Sequence, residues 1–289
     1  MAHSEMSEEE AVMRATTLAN QMGCPLHLGP VMSSSAADII QRKKSRGSVV
    51  FAETVPAALA CNGDEYWNPC WSHAAGFVCA PPVRKGQNGQ LLAACGNDSL
   101  DVLASGHCTF NKKQKALGKR DFTKIPVGVN GVESRMSILW EKGVHSKKID
   151  PAKFVALTSA IPAKLFNMYP TKGRIEVGSH ADVVIWNPAA TKTISAKDHQ
   201  LKTDFNVFEG LECHGVAEVV ICGGKIMVDD GTIRVMQGFG SFLPLAPFSP
   251  FVYDKVKAKE EADAVPRQSV VRTEEDMAVS TNGCGDIPR

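Results

Sequence analysis

The hydrophobic pattern of this chain changes once, near residue 172, and that change limits the possible fold more than any other feature. Up to that point helical periodicity alternates with short, continuous apolar runs. Ala11, Val12, Ala15, Leu18, Ala19 and Met22 recur at helical spacing behind Ser7 and Glu10, which have the spacing of a capping box, and Gly23 stands where the helix should end. Pro25 to Met32 reads as a strand. Ser34 or Ser35 should cap a second helix through Ile39 and Ile40, with the basic run Gln41 to Arg46 as its solvated C-terminal end. Ser48 to Ala52 and Asp101 to Ser105 are apolar runs of the kind found in parallel strands covered on both faces. Leu91 to Cys95, Glu133 to Lys142 and Asp150 to Met168 read as helices, the last divided by Pro162.

Beyond residue 172 the segments are short and β-rich: Ala181 to Trp186, Lys192 to Ser195, Val219 to Cys222 and Lys225 to Val228. Gly223-Gly224 and Asp230-Gly231 are turn dipeptides between them. Phe251 to Lys259 has an amphipathic helical pattern, and residues 260–289 are polar enough to be expected disordered. Alternation predicts a parallel α/β sheet. A closed eight-unit barrel takes roughly 250 residues. Residues 1–172 therefore accommodate a doubly wound sheet or only part of a barrel.

Lys and Arg number 32 against 31 Asp and Glu, for a net charge of +1, which gives no electrostatic case for nucleic acid or an anionic membrane. No apolar run reaches the ~18 residues of a spanning helix. The acidic start, Met1 to Glu10, is unlike a secretory signal. Nine cysteines without a C-x-x-C suit free thiols in a reducing cytoplasm, and a cytoplasmic location is expected. The pairs His107-Cys108 and Cys213-His214 are adjacent rather than spaced as zinc ligands, so no zinc site is expected from spacing.

A collinear series of strings carries a resemblance. They include Cys24-Pro-Leu, Val31-Met-Ser, His107-Cys-Thr-Phe-Asn, Gln114-Lys-Ala-Leu-Gly-Lys, Asp121-Phe-Thr-Lys-Ile-Pro, Asn130-Gly-Val-Glu, Lys172-Gly-Arg-Ile, Ala181-Asp-Val-Val-Ile-Trp and Phe208-Glu-Gly. From about Ser7 to Lys259 the chain resembles the dihydropyrimidinases and their non-enzymatic relatives, the collapsin response mediator proteins, within the amidohydrolases. The resemblance implies an α/β fold. Residues 1–172 would be the C-terminal half of a (β/α)8 barrel, 173–246 a β-sandwich segment, 247–259 a C-terminal helix and 260–289 a tail. It also implies that the H-x-H motif and bridging lysine, which help hold two zinc ions in the enzymes, lie upstream of the matched segment.

Two further positions are vacated by the same comparison. The enzymes carry a metal-binding histidine just before Val-Met-Ser, where this chain has Pro30, and a metal-binding aspartate that acts as general base where it has Gly106. Proline and glycine offer no ligand atom, so no metal and no catalytic residue is expected at either. His27 is three residues from Pro30 and on the other face of a strand, which reads as a histidine at a strand edge. His107 also occurs in the non-enzymatic relatives and reads as structural rather than as a replacement base. Ala80 and Val127 match positions where the enzymes hold substrate partly through main-chain groups. Lys142-Gly-Val-His-Ser and Cys213-His-Gly-Val look closer to the enzymes, so the chain is a mosaic.

The function implied is that of a non-catalytic protein acting by binding in cytoskeletal and axon-guidance signalling. Its partners would be itself or full-length family members, in homo- or hetero-tetramers, together with cytoskeletal or signalling proteins. The alternatives are a partial sequence of a metal-dependent hydrolase of cyclic amides, or a fragment without independent function. Phe248, Phe251, Val252 and Val256 resemble the family's subunit-packing helix, the competing reading being a helix that closes its own core. Ser269, Thr273, Ser280 and Thr281 make the tail a candidate for phosphorylation.

Overall fold

The structure is a computed structural model and describes residues 3–264. Helix α1 (Glu5–Gln21) starts earlier than the sequence suggests. Ser4 is the cap, its hydroxyl accepting the Ser7 amide at 3.2 Å, so Ser7 supplies the donor. Strand β1 (Leu26–Leu28) is shorter than expected, because Gly29-Pro30 follows and proline has no N–H for a ladder. Helix α2 (Ser34–Ser45) is capped by Ser33, which accepts the Ala36 amide at 3.4 Å, one residue before the expected cap.

Strand β2 (Val50–Thr54) leads through α3 (Pro56–Ala60), α4 (Trp71–Gly76) and α5 (Asn88–Gly96) to β3 (Val102–Leu103). The strands form a parallel sheet in the order β1-β2-β3. His27 lies opposite Phe51, Leu28 opposite Ala52, Glu53 opposite Val102 and Thr54 opposite Leu103. Alternation puts Val50, Ala52, Thr54 and Leu103 on one face. There the apolar members join the main core with Ile39 and Ile40 of α2 and Leu91 and Leu92 of α5. His27, Phe51, Glu53 and Val102 share the other face.

The short α6 (Lys112–Lys115) precedes α7 (Arg135–Leu139), which continues in wide π-type turns over Trp140–His145. Helix α8 (Pro151–Val155), wide turns over Ala156–Ala160 and α9 (Ile161–Leu165) then run on as one rod. Pro162 does not divide it as expected. A proline in mid-helix lacks an N–H and crowds the carbonyl four residues back, and the wide turns just before it make room.

Beyond this, β4 (Val183–Thr193), β5 (Glu212–Cys222), β6 (Lys225–Asp229) and β7 (Thr232–Ile233) form an antiparallel sheet in that order. The two strands expected between Ala181 and Ser195 are one, interrupted by irregular pairing at Ile185/Trp186 and Asn187/Thr191. In these four strands only Cys213 and Gly215 are buried.

Helix α10 (Pro250–Asp263) runs four residues past the expected end. Its Phe251 ring meets Phe51 at 5.6 Å and Lys255 Nζ lies 4.9 Å from the Phe51 ring, so α10 covers the second face of its own parallel sheet. Phe166 closes the same face against His27 at 5.9 Å. Val252 and Val256 are half-buried, whereas Phe248 is exposed and packs on Tyr253. Ser269, Thr273, Ser280 and Thr281 lie outside the described residues. The eight described cysteines are free, and no described helix is long and apolar enough to cross a membrane.

Candidate functional site

Pro30, Val55 and Gly106 follow β1, β2 and β3, at the end where parallel α/β sheets gather ligands. The sheet holds this end tightly. The Val31 amide donates to the Glu53 carbonyl at 2.8 Å, and the buried Thr54 hydroxyl to the Val31 carbonyl at 2.8 Å. Pro30 and Gly106 thus sit at the strand ends the resemblance implies, and neither carries a donor atom. Gly106 has φ +57°, and a Cβ built there would meet Val55 Cγ1 at 2.6 Å. Any β-carbon at this position would require Val55 to shift.

An acid on the neighbouring strand is Glu53, two residues before Val55, whose side chain fills the space beside Gly29 and whose Oε2 lies 3.4 Å from His27 Nε2. Burial raises its carboxyl pKa, and the neighbouring His27 opposes that shift. His27 is on the face away from Leu26 and Leu28, paired with Glu53 rather than directed to the position of Pro30.

His107 is exposed and makes a single parallel bridge to Val129. Its Nδ1 accepts the amides of Gly131 at 3.2 Å and Val132 at 3.4 Å. The imidazole therefore anchors a loop through Nδ1, which supports the structural reading. Ala80 and Val127 are also exposed, and their segments are joined through the main chain, with the Gly128 amide donating to the Val78 carbonyl at 2.9 Å. The buried Lys115 gathers the same loops. Its Nζ donates to the carbonyls of Val78 (3.0 Å), Pro126 (2.7 Å) and Gly128 (2.9 Å), while burial pushes its ammonium down to about 8. The structure thus brings Ala80, Val127 and His107 into one loop cluster built on backbone contacts.

A second cluster escaped the sequence reading. Glu141, His145 and His214 form the one group of three potential metal ligands among the described residues, their ligand atoms all within 4.8 Å of one another. Glu141 and His145 lie on the wide turns after α7, and His214 on β5. Glu141 Oε2 accepts the His214 amide at 2.7 Å and lies 3.0 Å from His214 Nδ1. The His145 and His214 rings stack 3.8 Å apart and nearly parallel. Burial would raise the Glu141 carboxyl pKa, but the amide and imidazole of His214 outweigh it and hold the group below its ordinary value. Gly215 makes the close approach possible, since a Cβ there would meet Trp140 at 2.5 Å and Trp186 at 2.6 Å. Ligand spacing along the chain missed this cluster because Glu141 and His214 are 73 residues apart. The available hint was that both strings involved, Lys142-Gly-Val-His-Ser and Cys213-His-Gly-Val, look enzyme-like.

Comparison with known proteins agrees with this architecture. A family model described as the amidohydrolase family matches residues 2–227. Rat dihydropyrimidinase is 50% identical over 263 residues, which are 90% of this chain and 51% of that protein. Human dihydropyrimidinase-related protein 5 is 46% identical, covering 90% of this chain and 47% of that protein. Among solved structures, the D-hydantoinase (dihydropyrimidinase) from Thermus sp. superposes with a TM-score of 0.81 at 32% identity, over 86% of this chain and 54% of that one. The chain therefore spans about half the length of the curated relatives it matches. It belongs to the amidohydrolase family, with similarity to dihydropyrimidinases and dihydropyrimidinase-related proteins alike.

Proposed function

We propose that this chain is a non-catalytic dihydropyrimidinase-related protein that acts by binding other proteins. The observation that carries the reading is Gly106, which offers no carboxylate at the end of β3 and whose positive φ and closeness to Val55 disfavour any β-carbon there. Pro30 likewise offers no ligand atom at the end of β1. Cyclic-amide hydrolysis needs a metal-activated water and a base to take its proton. General acid–base catalysis alone contributes about 10²–10⁴-fold. On this reading β1–β3 are part of a (β/α)8 barrel and β4–β7 part of a β-sandwich. The partners are further copies or full-length family members, then cytoskeletal and axon-guidance signalling proteins in the cytoplasm.

The competing reading is a metal-dependent hydrolase of which this chain is part, and it draws on the 50% identity with rat dihydropyrimidinase. Hydrolysis of dihydrouracil and hydantoin by the protein purified from its full transcript separates the two, because both readings leave the isolated segment inactive. No turnover above buffer is expected, with or without added zinc. Activity that co-purifies with the protein and disappears on chelation would establish the hydrolase.

A further inference from the structure

We propose that Glu141, His145 and His214 form a divalent-cation site, best suited to zinc, that clasps the antiparallel sheet to the wide turns after α7. This goes beyond the proposed function and is independent of it, since none of the three residues lies at the ends of β1, β2 or β3.

Two imidazoles and one carboxylate are a donor set that zinc accepts readily, with a fourth position left for water. Tetrahedral zinc with ligands at about 2.0–2.1 Å needs donor atoms about 3.4 Å apart. The three donors already lie within 4.8 Å, and Glu141 Oε2 and His214 Nδ1 are 3.0 Å apart. The remaining adjustment falls on His145, which is exposed and free to rotate out of its stack on His214. Glu141 and His214 need to part by only a few tenths of an ångström, and the His214 main-chain amide keeps the carboxylate at the site at 2.7 Å. Metal at His214 Nδ1 would take the place of the contact with Glu141, with the imidazole in the tautomer that carries its proton on Nε2.

The location gives the site a consequence. Glu141 and His145 lie on the segment that begins at Trp140, whose ring meets Trp186 of β4 at 5.2 Å and Phe154 of α8 at 5.1 Å. This aromatic contact joins the sparsely buried antiparallel sheet to the helices. A cation between His145 and His214 would add a bond across the same junction, so binding should stabilise the folded chain.

The test is titration of metal-stripped protein, under a non-thiol reductant, with zinc chloride by calorimetry and with cobalt chloride by absorption. Cobalt separates this site from the free cysteines, because a nitrogen and oxygen site lacks the sulfur-to-cobalt charge-transfer band. Expected are one equivalent of metal, a higher melting temperature on binding and no sulfur band. His145→Ala, which removes an exposed ring and no hydrogen bond, should weaken binding by about tenfold or more. His214→Ala and Glu141→Gln should do the same, and His145→Ala decides the matter should either of them fail to fold. Absence of saturable binding, a sulfur band, or unchanged affinity in His145→Ala would overturn the proposal. Hydrolytic activity, present or absent, bears only on the strand-end site.

Discussion

The two sheets of this chain differ in how they are covered. The parallel sheet is a middle layer, with Leu103 and Ala52 fully buried in the main core on one face and Phe51 under Phe251 and Lys255 on the other. The antiparallel sheet is longer, yet buries only Cys213 and Gly215 of its four strands, and leaves Val184, Ile185 and Ile226 exposed. The contrast teaches where this chain's own packing sets its structure and where it relies on a single seam. Apolar side chains withdrawn on both faces contribute stability roughly in proportion to the area they lose to solvent. A one-sided sheet contributes mainly where it meets the helices, around Trp140 and Trp186.

The sharpest way to break this contrast is a matched pair of truncations. Leu103→Ala should lower stability by about 2–5 kcal/mol, because the rigid core keeps the cavity. Ile185→Ala, at a position 49% exposed, should cost less than about 1 kcal/mol. Urea denaturation followed by tryptophan fluorescence measures both, and equal losses would mean that the antiparallel sheet is buried in solution.

A smaller effect is expected from Gly106→Asp. The positive φ and the 2.6 Å approach to Val55 should destabilise the variant by about 1–3 kcal/mol. Thermal melting checks this, and a variant as stable as the parent would show that a carboxylate can be housed there.

The smallest effect concerns Glu53, on the face covered by α10. Burial raises its carboxyl pKa in the folded chain, with His27 opposing. A carboxyl with a raised folded pKa contributes stability that is fully present below its unfolded pKa and is lost as pH rises through the folded value. Glu53→Gln should therefore raise stability slightly at neutral pH and flatten its decline across that acidic window. Melting temperatures from pH 4 to pH 7 test the sign. A variant less stable than the parent at pH 7 would mean that the ion pair with His27 outweighs burial.

Much of the architecture could be read from local pattern, because periodicity and capping act within a few residues. The change of pattern near residue 172, the helices α1, α2 and α10, and the turns at Gly223-Gly224 and Asp230-Gly231 all emerged that way. Helix starts shifted by one to three residues where several serines compete for one cap, as with Ser4 against Ser7 and Ser33 against Ser34. Pro162 misled because its effect depends on the width of the preceding turns, which composition does not encode. Pro30 and Gly106 stood out only through the family resemblance, to which side-chain chemistry adds that neither offers a ligand atom.

By itself, then, the sequence determined the alternation of helix and strand up to residue 172, the β-rich run beyond it, and the absence of donor atoms in Pro30 and Gly106, since these depend on residue type and near neighbours. The short helices α3, α4 and α6 carry too few residues for a periodic signal. Tertiary structure alone decided that a β-carbon at Gly106 would crowd Val55. It also placed α10 on the chain's own parallel sheet and brought Glu141 and His145 to His214 across 73 residues. Each of these is a distance between groups far apart along the chain, and such distances exist only once the core has closed.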